Sequence, residues 1–230
     1  MEEIIKQTLT AMPQFLMNFF KLLSSPRQFP LDRLPKDSSE TKESLVESLK
    51  FILISYSLIV ILTAWKSSSE NAFKDLGVVA VSTLIQMSLF VFAVFFAWKI
   101  FGSKRQFLEY FIIYSYNFGV IFIIMALFIV MSDGYLKTFD KELYDNLLKV
   151  KSHTTDFNID WWSNTNFQIT WGIIIAGYLL ATIWGFIGWG AYRIINECKK
   201  WKSFGVMFVA GIFSWIAFAI SYLISNGIKK

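Results

Sequence analysis

The sequence predicts an all-α integral membrane fold, with five transmembrane helices preceded by an N-terminal amphipathic interfacial helix. Three observations predict it. The 230 residues are 55% hydrophobic and 18% aromatic, with only 17% charged and a positive mean hydropathy, a balance foreign to soluble globular chains. Five long runs are almost free of charge, each long enough for a transmembrane helix. Finally, Pro13, Pro26, Pro30 and Pro35 all lie near the start, leaving everything after Lys36 free of helix-breaking proline.

The opening MEEIIKQ begins with acids rather than the basic, apolar and small-residue pattern of a cleaved signal peptide, so it is read as retained. Next comes QFLMNFFKLLSSPRQFP, residues 14–30, too apolar for an ordinary surface segment and too short to cross a bilayer. On a helix, Gln14, Asn18, Lys21 and Ser25 form one narrow polar stripe, and Phe15, Leu16, Phe19, Phe20, Leu22 and Leu23 fill the remainder. Such a helix suits the headgroup boundary or a berth on a bundle. Residues 24–48 read as a proline-punctuated loop and a run-up to the first span, so 1–48 is a cytoplasmic N-terminal segment and 49–226 the transmembrane domain.

The spans follow in order. The first, about 50–65, is FILISYSLIVILTAW between Lys50 and Lys66; both lysines snorkel and Trp65 sits at the interface to complete a slightly short crossing. The second is about 77–98, the third about 108–131, the fourth about 168–190 and the fifth about 204–226. The outer loop 132–165 carries Phe139, Leu143, Leu147 and Val150 at the spacing of a short surface helix, and Trp161 and Trp162 mark the entry to the fourth span. About 14 of the 22 Lys and Arg residues fall in the N-terminal segment and in the 99–106 and 191–203 turns. By the positive-inside rule the N-terminus is cytoplasmic and the C-terminus outside. Usage rich in Phe, Ile and Lys favours a bacterial plasma (inner) membrane. No internal repeat supports an inverted-repeat transporter.

Catalytic motifs are absent: no P-loop, GxSxG, HExxH or CxxC occurs. One cysteine, Cys198, and one histidine, His153, leave no thiolate cluster or multi-histidine site. His153 with Asp156 and Asp160 makes at best a weak cation site. No cofactor and no small-molecule substrate are expected. The net charge of +5 follows the membrane orientation rather than a nucleic-acid partner. Three groups of residues stand out instead. Gln86, Glu109, Tyr110, Tyr114 and Asn117 form a candidate intramembrane polar face, with Tyr110, Tyr114 and Asn117 at i, i+4, i+7. Serving as interhelical hydrogen-bonding glue is the plainer reading and a transport path the sharper one. Gly177, Ala181, Gly185 and Gly188 make a small-residue ridge on the fourth span, and Ala210, Ser214 and Ala217, with Ser221, another on the fifth. These predict close packing of the two spans on each other, or a seam between copies of the chain. Lys104 and Arg105 in GSKRQ, and Lys199, Lys200 and Lys202 in ECKKWK, are candidate contacts to anionic lipid or a partner.

The order of these parts resembles the Yip1 domain family, particularly its prokaryotic branch. The residues that carry this are LLSSPRQFPLDRL (22–34), ESLKFILISYSLIVIL (47–62), GSKRQFLEYFIIYSYNFG (102–119) and GAYRIINECKKWKSFGVMFVAGI (190–212). The likeness runs over roughly 14–226. The chain departs from the family in YSYNFGV, which has no proline after the third-span tyrosine. It also does not show the long polar arm of eukaryotic members, so their contacts with prenylated small GTPases are not implied. The prokaryotic branch has no settled activity to carry over, and no residue is carried over as catalytic. The leading reading of the chain is a non-enzymatic, Yip1-like membrane-organising or adaptor component that meets the lipid bilayer and either a membrane-protein partner or another copy of itself. The alternative is a small transporter or channel subunit using the third-span polar face. A membrane-embedded enzyme ranks third, since no convergent acid, base or nucleophile is visible.

Overall fold

A computed structural model of the chain describes the backbone of residues 2–64, 72–151 and 159–228, and side chains at 10, 12–58, 85–149 and 161–220. The elements are α1 (Glu2–Ser24), α2 (Gln28–Asp32), α3 (Thr41–Ala64), α4 (Ala72–Ile100), α5 (Phe107–Phe139), α6 (Lys141–Lys151), a 3-10 turn (Ile159–Ser163), α7 (Thr165–Ile195) and α8 (Lys200–Ile228). Among the described residues there is no strand. Three helices among the described residues are long and apolar enough to cross a membrane: α5, α7 and α8 over Lys200–Ile220. An α-helix closes all its interior backbone hydrogen bonds within the segment, which hydrocarbon demands. The predicted first and second spans reach into residues outside the described side chains. What is described of α4 adds a shorter apolar stretch, Ile85–Ile100.

α5 is the hub. Its 33 residues make a rod of roughly 50 Å, longer than a hydrocarbon core of roughly 30 Å. α3 lies along it in the same direction: Phe51 meets Tyr116 at 5.1 Å and Tyr56 meets Phe122 at 5.7 Å between ring centroids. α7 runs antiparallel to it, pairing Asn166 with Tyr135 at one end and Asn196 with Tyr110 at the other. α8 packs on α4 rather than on α7, also antiparallel, with Phe101 beside Gly205 and Phe90 sharing a groove with Ser214 and Trp215. Consecutive long helices therefore alternate in direction.

This arrangement corrects the expected mating of the fourth- and fifth-span ridges. Gly177, Ala181 and Gly188 are buried, but Gly177 and Gly188 face Phe128 and Asn117 of α5. Ala210 and Ala217 are buried on the α8 face, where Ala210 joins a cluster with Val91 and Ala97 of α4. The α7 ridge admits Phe128 and Asn117 of α5, and the α8 ridge packs toward α4. Gly185 is only half-buried, with open space where a side chain would go.

The outer segment is also more helical than expected. α5 continues to Phe139, beyond the anticipated end near 131. Phe139 therefore ends α5, 66% exposed, instead of lying on the face of the surface helix. α6 does use Leu143, buried with Tyr144, Leu136 and Phe167, with Leu147 and Trp161 packed around them. Val150 lies outside the described side chains.

At the opposite end the α4–α5 and α7–α8 turns are built alike. Ser103 N–H donates to Trp98 O and Gly102 N–H to Lys99 O; Cys198 N–H donates to Arg193 O and Glu197 N–H to Ile194 O. Both are helix-terminating loops that need one left-handed residue. Gly102 supplies it at φ 86°, whereas Glu197 adopts φ 47° despite its side chain.

Candidate functional site

The α5–α7 seam holds the residues predicted as an intramembrane polar face. Tyr110, Tyr114 and Asn117 are all buried. The Tyr110 hydroxyl donates to Asn196 Oδ1 at 2.9 Å and lies 2.8 Å from Ser103 Oγ, and its ring stacks on Tyr192. Asn117 Nδ2 donates to the Gly188 carbonyl at 3.4 Å, and Trp184 Nε1 donates to the Asn117 carbonyl at 3.2 Å. The Asn117 Oδ1 and the Tyr114 and Tyr116 hydroxyls are buried without a hydrogen-bond partner.

Two predicted members stand apart. Gln86 is half-buried on α4. Glu109 belongs to the start of α5, where its carboxylate accepts from Gln106 N–H at 2.8 Å in a capping box and pairs with Arg105 at 3.1 Å. Two orphan donors of a helix start are satisfied this way. Sequence reasoning missed Trp184, Tyr192 and Asn196. Trp184 shares the face of Gly177, Ala181 and Gly188, and that shared face was the available signal.

The seam consists of phenols, an amide and indoles. These donate and accept hydrogen bonds, and two helices are held in register by them. Interhelical contacts of this type contribute about 0.6 kcal/mol each. Among the described residues no group of three or more His, Cys, Asp or Glu stands together; His153 and Asp156 lie outside them, as does the Asp160 side chain.

The basic end is the second feature. Lys104, Lys199, Lys200 and Lys202 are exposed. Arg105 is committed instead: its Nε donates to the Ile195 carbonyl at 2.8 Å, closing the end of α7, while its Nη1 holds Glu109. A cation on the last carbonyls of a helix is favoured by the helix dipole.

α1 leans on this framework. Phe15, Asn18 and Leu22 are buried; Phe15 meets Phe51 of α3 at 5.0 Å. Asn18 Oδ1 accepts from Gln14 and from Arg33, which also pairs with Glu47 of α3. Asn18 therefore leaves the expected solvent stripe for the docked face. Leu16, Met17, Phe20 and Leu23 remain exposed on the other apolar side.

At the far end Asp140 ties three elements together. Its carboxylate accepts from Leu143 N–H at 3.0 Å, from Asn164 Nδ2 at 3.0 Å and from Asn166 Nδ2 at 3.4 Å. Asn164 in turn caps α7, accepting from Asn166 and Phe167 N–H. The bond from the Leu143 amide, then that from Asn164, holds the Asp140 carboxyl below its ordinary value of 3.8.

Compared with protein-family models, with curated proteins and with solved structures, the chain matches none of them.

Proposed function

We propose that the chain is a five-span, Yip1-like, non-enzymatic membrane protein that acts as a membrane-organising or adaptor component, with its N-terminus in the cytoplasm of a bacterium and its C-terminus outside. The observation that carries this reading is α1. It is docked through Phe15, Asn18 and Leu22, yet keeps Leu16, Met17, Phe20 and Leu23 unburied. A helix so seated offers an apolar strip beside the basic turns, at the level where a bundle meets headgroups. Alternating directions of α3, α4, α5, α7 and α8 support five crossings. Partners would meet the 1–48 segment and the exposed lysines at 104, 199, 200 and 202.

The test is crosslinking of the tagged full-length protein in its own membrane, with mass spectrometry of what is captured. A reproducible partner joined through residues 1–48 or the basic turns is the expected result. Self-crosslinks alone would remove the adaptor role. A second reading, a small transporter or channel subunit, is favoured by the unpartnered Asn117 Oδ1 and Tyr114 hydroxyl inside the bundle. It predicts solute flux in proteoliposomes that falls in Asn117→Leu, and flux-silent protein removes it.

A further inference from the structure

α7 and α8 rest on different partners, and a wedge opens between them at the basic end. Its cavity has a volume of about 300 Å³ and is lined by Arg27, Arg193 and Lys200 together with Phe186, Trp189 and Phe204. That volume lies at the lower end of ordinary ligand pockets. No acidic residue lines it, and among the described residues Arg193 and Lys200 take part in no salt bridge.

The site is built rather than a chance gathering of surface charge. Arg27 comes from the loop after α1 and reaches across the sequence to donate through Nε to the Ile187 carbonyl at 3.3 Å. It lies against Gly190, where an added Cβ would stand 2.5 Å from that nitrogen and displace the Arg27 side chain. Trp189 Nε1 donates to Ser203 Oγ at 2.9 Å, bridging α7 to α8 beside the cavity. The cations stand where the apolar run of α7 ends and that of α8 begins. Below them Phe186 and Phe204, 57% and 60% exposed, continue into the exposed Ile183 and Phe208. Positive charge at headgroup depth above an open apolar flank has the polarity of an anionic amphiphile.

We infer that this cavity binds the phosphate of an anionic membrane phospholipid, with Arg27, Arg193 and Lys200 around the headgroup and the acyl chains along Phe186 and Phe204. The inference rests on membrane insertion of α7 and α8 and not on the adaptor role, so loss of one leaves the other standing. Full-length protein in detergent micelles, titrated with dioleoylphosphatidylglycerol and read by native mass spectrometry, tests it. One lipid per chain is expected to bind, with phosphatidylcholine much weaker. Arg27→Gln, Arg193→Gln and Lys200→Gln should each weaken retention about fivefold, whereas Lys141→Gln, an exposed lysine at the opposite end, leaves it unchanged. Gly190→Ala should weaken retention without altering charge. Lys200 is exposed, so its variant folds whatever happens to the tighter positions. Equal retention of phosphatidylcholine, or full retention by Lys200→Gln, overturns the assignment. Displacement of the lipid by inorganic phosphate at matched concentration would show a site for free phosphate and overturn the lipid assignment too.

Discussion

Two glycines on one helix face show how strongly a single position depends on its neighbour. An added Cβ at Gly188 would stand 2.6 Å from Cγ and Oδ1 of Asn117, while at Gly185 it meets nothing within 4 Å. Gly188→Ala must push Asn117 from the Gly188 carbonyl and should cost about 1–3 kcal/mol. Gly185→Ala should be neutral or stabilise by about 0.4–1 kcal/mol. Thermal midpoints in detergent separate them, and equal shifts would contradict the α5–α7 packing. Asp140 makes a pH-dependent statement at the same scale. Its carboxyl is held below 3.8 by donated hydrogen bonds, so its contribution is fully present above the unfolded value and disappears as pH falls through the folded one. Wild type should therefore melt above Asp140→Asn at pH 7, and the gap should close below about pH 3.8. A gap that persisted in acid would mean the ionised carboxylate is not what holds α6. Gly188 and Asn117 both stood out in the sequence, but their pairing did not: they lie 71 positions apart, and no local pattern encodes that contact. Asp140 did not stand out at all.

At the scale of elements, α1 divides its apolar residues between two duties. Leu22 is fully buried, whereas Phe20 is 64% exposed. Leu22→Ala should weaken docking by about 2–5 kcal/mol and speed tryptic cleavage at Lys21 and Arg27. Phe20→Ala should leave cleavage as in wild type. Similar sensitivity in both would mean that α1 is not seated by the Phe15–Leu22 face. The sequence made the helix and its polar stripe legible through period alone. Which apolar arc docks was not legible, because Leu16 and Leu22 are chemically alike and only the position of Phe51 and its neighbours distinguishes them. Asn18 went to the docked side for the same reason: Arg33, paired with Glu47, gives it a donor there.

For the whole molecule, alternating helix directions put the 101–106 and 196–199 turns at one end and the α5–α6 junction at the other. In a Cys198→Ser background, Lys199→Cys should react with a membrane-impermeant maleimide only in inverted vesicles, and Lys141→Cys only in right-side-out ones. The reverse pattern would flip the proposed orientation, and labelling of both from one side would refute the alternation.

The sequence by itself determined that the chain is helical and apolar enough for a membrane, and which of its turns are basic. Those properties are sums over adjacent residues, and hydropathy, caps and charge can be added up along the chain. Only the tertiary structure decided that α7 packs on α5 and α8 on α4, that Arg105 closes a helix while Arg27 enters a cavity, and that the small-residue ridges do not face each other. Such choices depend on shape and hydrogen-bond complementarity between segments as far apart as Arg27 and Ile187, separated by 160 positions. Many pairings of apolar helices satisfy the same hydropathy pattern, so packing geometry has to select among them.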